Sequence, residues 1–190
     1  MGILGPGGCG KSALIETVGG ILQRTSGEAY IEGEKMNNYS NKRLSFALQK
    51  NVLWETLTPR EHLEIFGQWR GISIHAIEHL IKELDRVFHF EQDWDTRVIK
   101  LSSEGQKQIG LALALFGRPK VLLLDEATVG MGEKSLDYFW KVLQTYQEES
   151  ECSILFTTHA IQEAEIYADK VAIMVNGKLQ RIGSLERIVY

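Results

Sequence analysis

Residues Gly5-Pro6-Gly7-Gly8-Cys9-Gly10-Lys11-Ser12, followed by Ala13, have the makings of a device for holding phosphate. Their spacing is G-x-x-x-x-G-K-[ST]. Glycines in such a run let the backbone wrap an anion so that successive N–H groups point inward, and the helix opening at Ser12 adds partial positive charge at its N-terminus. Lys11 would reach the β- and γ-phosphates and the Ser12 hydroxyl would ligate Mg²⁺. The pattern implies a nucleoside triphosphate. A second chemical station is Asp125-Glu126, two carboxylates at the end of the apolar run Val121-Leu122-Leu123-Leu124. A carboxylate at the carboxyl end of a buried strand sits where open α/β sheets bind ligands, so Asp125 would hold the Mg²⁺ and Glu126 would polarise an attacking water. His159 ends another strand-like run and could meet the γ-phosphate with a ring nitrogen. His62, His75, His79 and His89 fall on helix-like segments and read as surface or packing residues.

These groups need a frame, and the periodicities supply one. Met1 to Leu4 reads as the end of a strand entering the loop, with the N-terminal edge of the domain expected to be missing. Ser12 to Leu22 reads as a helix, Gly27 to Gly33 as a turn-bounded strand, and Asn37 to Asn41 as loop. Pro59 suits the first turn of a helix containing His62, Leu63, Ile65, Phe66 and Trp69, and Ile74 to Phe88 has helical apolar spacing. Gln106 to Phe116 reads as helix, Val121 to Leu124 as a strand buried on both faces, and Ser135 to Glu148 as helix. Ser153 to Thr157 is a strand, Ile161 to Tyr167 a helix, and Val171 to Val175 a strand joined by an Asn176-Gly177 turn to Leu179 to Ile182. The order predicts an α/β fold around a mainly parallel sheet, with residues 1–48 and 117–190 as the core and 50–116 as a helical insert.

Composition narrows the function classes. The 190 residues are 44% hydrophobic and 24% charged, ordinary globular values. A formal net charge of −4 argues against nucleic acid as a partner, since phosphate-backbone binding needs a basic face. On that background Trp54, Trp69, Trp94 and Trp140 read as core or interface aromatics. No apolar stretch approaches the ~20 residues that span a bilayer. Cys9, inside the phosphate loop, and Cys152 do not make a disulfide framework and read as reduced thiols.

Taken in order, the motifs resemble the ATPase domain of ABC transporters over essentially the whole chain. Gln49 is similar to the family's Q-loop glutamine, Leu101-Ser102-Ser103-Glu104-Gly105 occupies the place of the LSGGQ signature, Leu122 to Thr128 resembles Walker B with its catalytic glutamate, and Thr157-Thr158-His159 resembles the H-loop. The segments Gln49 to Leu53, Leu57-Thr58, Glu61-His62-Leu63, Arg70-Gly71, Glu163-Ala164-Glu165 and Val171 to Val175 are similar to the lipid-associated A subfamily. The resemblance implies a P-loop NTPase fold and Mg·ATP held by Gly5 to Ala13, Gln49 and Asp125. It further implies Glu126 as general base toward water, with Gln49 and His159 holding the water and γ-phosphate. As partners it implies transmembrane domains and a second ATP-binding domain paired head to tail, and as location the cytoplasmic face of a membrane. An adenine-stacking aromatic is expected before the phosphate loop; without it affinity for ATP would fall by about 1–3 kcal/mol.

The departures from the family pattern are equally specific. An ungapped alignment to Walker B keeps Ser102 but sets Ser103 and Glu104 where the signature has two glycines. A carboxylate facing the partner's polyphosphate would be repelled by up to about 4 kcal/mol per charge pair at ~4 Å and an effective dielectric of ~20. A one-residue shift would instead align Ser103-Glu104-Gly105-Gln106 with the S-x-G-Q core. The ungapped register is favoured because it leaves Ile109, Leu111, Ala112 and Leu115 in apolar positions. Gly132 stands in place of the D-loop aspartate, and Ala127 replaces a proline. These substitutions leave two alternatives beside a transporter motor: a truncated or non-hydrolytic nucleotide-binding domain, and a soluble ABC-type ATPase.

Overall fold

The run of leucines at 122–124 becomes the centre of the protein. In the computed structural model, which describes residues 1–36, 43–49, 53–88, 94–184 and 187, these three side chains are all at most 1% exposed. The loop expected at Asn37 to Asn41, His89 and residues 50–52 lie outside the described residues. The chain divides into two compact units, one of Met1–Phe46, Val121–Glu126 and Ser153–Tyr190, the other of Ala47–Lys120 and Ala127–Cys152.

The first unit is built on a six-stranded sheet. Its strands are β1 (Gly2–Leu4), β4 (Leu44–Ala47), β5 (Val121–Asp125), β6 (Ser153–Thr158), β7 (Val171–Val175) and β8 (Lys178–Gly183), in the order β4-β5-β6-β1-β7-β8. The pairs β5/β6, β6/β1 and β1/β7 are parallel; β7/β8 is an antiparallel hairpin turning at Asn176-Gly177, both at positive φ, as the sequence predicts. Alternation along β1 splits the core. Ile3 packs with Ile15, Leu123 and Met174, and Leu4 packs with Ala164, Val171 and Ile173. Helix α1 (Lys11–Val18) supplies Ile15, and α6 (Ile161–Tyr167) supplies Ala164, so opposite sheet faces are covered.

Three boundaries differ from expectation here. Helix α1 stops at Val18 rather than Leu22, because Gly20 turns left-handed at φ 80°; Gly19, its C-cap, lies against the Phe46 ring, where a Cβ would come within 1.9 Å. The strand expected from Gly27 to Gly33 is half of a small hairpin, β2 (Tyr30–Ile31) against β3 (Glu34–Lys35), joined by Glu32 and Gly33 at positive φ. Strand β4 had no sequence signal, since four residues, only partly apolar, carry no readable period.

In the second unit α2 (Pro59–Trp69) begins with a full capping box. The Thr58 hydroxyl accepts the Glu61 N–H at 3.2 Å, and the Glu61 carboxylate accepts the Thr58 N–H at 2.8 Å. His62 is fully buried and bonded on both sides of its ring. Nε2 accepts the Trp54 N–H at 2.9 Å and Nδ1 lies 2.8 Å from the Thr58 carbonyl, so the ring is engaged in packing the second unit. Helix α3 (Ile74–Phe88) approaches α2 closely at Gly67, where a Cβ would meet Ile77 at 2.6 Å. Helices α4 (Ser103–Leu115) and α5 (Glu133–Ser150) both start earlier than predicted, by three and two residues. Ile109, Leu111, Ala112 and Leu115 of α4 are all buried, as the apolar spacing predicts. No helix among the described residues is long and apolar enough to cross a membrane.

Candidate functional site

Strand register decides which groups meet. Across the sheet Ile3 and Asp125 are both opposite Thr157, and Leu4 is opposite Thr158. The residues that follow, the loop from Gly5, then Glu126 and His159, therefore leave the sheet at one carboxyl edge, where ligands of α/β sheets bind.

The loop is tied down from below. Gly5 donates its N–H to the Thr158 carbonyl at 3.4 Å, Cys9 accepts the Gly177 N–H at 2.8 Å, and a Cβ at Gly5 would sit 2.5 Å from the Met174 carbonyl oxygen. Gly10 is the N-cap of α1 at φ 104°, a left-handed turn that a side chain would strain. The cap has no side-chain acceptor, so the N–H groups of Lys11, Ser12 and Ala13 open onto the loop without carbonyl partners inside the helix. Around Gly7 and Gly8 there is open space, with no atom within 4 Å of a notional Cβ. Pro6, Gly7, Gly8, Ser12 and Ala13 are exposed, while Cys9 and Lys11 are buried.

Lys11 is only 4% exposed, and its ammonium has three partners for three hydrogens. It donates to the carbonyls of Gly5 at 2.8 Å and Pro6 at 3.2 Å, and pairs with Glu126 Oε1 at 3.1 Å. Glu126 Oε1 is also 3.8 Å from His159 Nδ1, and the His159 side chain is about half exposed. Glu126 itself has φ 44°, a conformation that side-chain-bearing residues seldom hold without external support. The support is Thr157, whose hydroxyl accepts the Glu126 N–H at 3.0 Å and donates to Asp125 Oδ1 at 2.6 Å. Asp125 and Thr157 are buried. The donor set fits a polyphosphate, with backbone N–H groups, a glycine cradle and a lysine. Ser12 and Asp125 offer the hard oxygens that suit Mg²⁺.

Gln49 and the segment Ser102-Ser103-Glu104-Gly105 belong to the second unit. Gln49 is exposed. Ser102 is the N-cap of α4, its hydroxyl accepting the Gly105 N–H at 3.1 Å, so Ser103, Glu104 and Gly105 form the first helical turn. Glu104 Oε1 accepts the Gly132 N–H at 3.2 Å. Gly132 is the N-cap of α5 and has no side chain to cap with, and Glu104 engages the N-cap's own N–H from another helix. One turn later Lys107 donates to the Val129 carbonyl, and both ends of the segment 129–132 are thereby held by α4. Sequence reasoning missed this pairing and the double bond of Thr157. A hydroxyl residue following an apolar strand was the available signal for the latter.

Residues 1–129 match the family model described as ABC transporter. The chain belongs to the ABC transporter family. It is 33% identical over 192 residues to the mouse cholesterol transporter ABCA5, 35% over 188 to the human ATP-binding cassette sub-family A member 6, and 34% over 185 to the human phospholipid-transporting ATPase ABCA3. These alignments cover 96–99% of this chain and 11–12% of each relative, so the chain spans about one eighth or less of their length. In sequence it thus resembles the A subfamily. Among solved structures, an ATP-binding subunit of an ABC transporter and CbiO1 from Clostridium perfringens, part of the ABC transporter complex CbiONQ, superpose with TM-scores of 0.86 at 24% identity. They cover 98% and 99% of this chain and 79% and 78% of their own. The fold is that of an ABC-type ATPase domain.

Proposed function

We propose that residues 1–190 are one ATP-binding and ATP-hydrolysing domain of a lipid-moving ABC transporter, with residues 1–48 and 117–190 as its α/β core and 50–116 as a helical subdomain. The single observation that carries this reading is the convergence of the Gly5–Ser12 loop, Lys11, Asp125, Glu126 and His159 on one sheet edge. Bound Mg²⁺ would supply positive charge to the phosphate oxygens, with Ser12, Asp125 and Gln49 as its holders. Lys11 would exchange Glu126 for phosphate oxygen, which leaves Glu126 Oε1 to take a proton from an attacking water. His159 would orient that water and the γ-phosphate.

Hydrolysis would need a second ATP-binding domain in a head-to-tail pair to supply a signature segment in trans, and transport would need membrane domains, with this domain at their cytoplasmic face. The sub-family A relatives support a lipid or similar amphipathic cargo. Isothermal titration of the chain with Mg·ATP, beside Lys11→Ala, tests the core of the proposal. Saturable binding in the wild type that disappears in the variant is expected; a folded wild type that binds no Mg·ATP refutes it and favours a non-hydrolytic, degenerate domain.

A further inference from the structure

We propose that Thr157 is a positioning residue that sets both carboxylates of the site with a single hydroxyl. The inference rests on the nucleotide-binding reading above and assigns a role to a buried side chain that bonds to both acidic residues of the site.

The hydroxyl has one hydrogen, and that hydrogen is committed to Asp125 Oδ1 at 2.6 Å. Its lone pair receives the Glu126 N–H at 3.0 Å. Thr157 is 2% exposed, so water has little access to replace either bond. Two consequences follow from the geometry. With Oδ1 held by the hydroxyl, rotation of the Asp125 carboxylate is restrained. With its N–H captured, Glu126 is kept at φ 44°, the left-handed conformation from which its side chain reaches Lys11. Asp125 would otherwise turn between several orientations, and Glu126 would relax toward an ordinary extended backbone and swing its carboxylate away. The β6 register, with Thr157 opposite Asp125 on one side and Ile3 on the other, makes this position the one from which a short hydroxyl side chain serves two successive residues of β5 and its exit. Threonine also keeps the β-branched shape that suits a central strand, so the position satisfies packing and chemistry together.

The test is binding of ATP to the full chain by calorimetry, with Mg²⁺ and with EDTA, for wild type, Thr157→Val and Thr157→Ser, together with hydrogen exchange at the Glu126 amide. Valine keeps the shape and deletes both bonds; serine keeps both bonds. Thr157→Val is expected to weaken the Mg²⁺-dependent affinity about tenfold, the effect of losing one bond to a charged group. Metal-free binding should stay within about twofold, and the Glu126 amide should lose protection. Thr157→Ser is expected to match the wild type in both readouts. If valine does not fold, Thr157→Cys, which keeps the volume and weakens the donor, takes its place with the same expectation of a smaller Mg²⁺ effect. A valine or cysteine variant with the wild-type Mg²⁺ dependence overturns the inference while the nucleotide reading stands. A wild type that binds no ATP under either condition overturns both.

Discussion

Substituting Gly5 by alanine sets a methyl group against the backbone that supports the phosphate loop. The new Cβ would lie 2.5 Å from the Met174 carbonyl oxygen and 2.7 Å from Cys9 Sγ, where ordinary contact begins at 3.4 Å. The sulfur belongs to a side chain that can turn. The carbonyl belongs to β7, paired to β1 on one side and β8 on the other, so it yields only if the sheet yields. Overpacking of this kind costs about 1–3 kcal/mol, and the immobile carbonyl puts Gly5→Ala in the upper half of that range. For a chain of this size each kcal/mol moves Tm by about 2–4 °C, so calorimetric scanning should find a loss of about 5–10 °C. Gly7→Ala is the matched control, because its Cβ meets nothing within 4 Å and its φ is not left-handed. Its Tm should stay within about 2 °C of wild type. Adding Cys9→Ala to Gly5→Ala should recover less than half of the loss. Equal Tm values for Gly5→Ala and wild type, or a Gly7→Ala variant that falls as far as Gly5→Ala, would refute the steric argument.

Two further outcomes are expected beyond those already given for Lys11 and Thr157. Glu104→Ala removes the acceptor of the Gly132 N–H and should cost about 0.5–1.5 kcal/mol, read as a lower urea midpoint with faster exchange of the Gly132 amide; unchanged exchange would show that the amide has no need of the carboxylate. Burial pushes the Tyr146 phenol up to about 12 from its usual 10.0. A raised pKa means that its stabilising effect is complete below about pH 10 and fades as pH rises toward about 12, so wild type should lose more stability than Tyr146→Phe across that window. Parallel curves for the two proteins would contradict this assignment.

How much of this was legible beforehand depends on the range of the interaction. The limits of α3 and α6 and the start of α2 were readable because Pro59, Ile161 and the apolar spacing from Ile74 act within one or two turns. The placement of Asp125 and His159 at strand ends was readable from the apolar runs that precede them, whereas the strand order that brings those ends beside the Lys11 loop was not. Contacts that join distant segments were not readable. The need for glycine at 19 comes from Phe46, a residue 27 positions beyond it, and the start of α4 from a serine cap hidden within a motif normally read for its ligand. Thr157 and Asp125 are 32 residues apart, and nothing local in either segment announces the bond between them.

The Glu104 to Gly132 bond changes how the two departures from the family pattern should be counted. Along the chain they are separate expectations, Glu104 at a position where the signature would have glycine and Gly132 where the D-loop would have aspartate. Read in space they are joined, since the Glu104 carboxylate accepts the N–H of Gly132 at the head of α5. Replacing Glu104 by glycine would take away that acceptor, and an aspartate at 132 would not restore it, because an N-cap side chain reaches the N–H groups two and three residues on rather than its own. Positions 104 and 132 are therefore coupled through one bond, and substitutions there are expected to be non-additive.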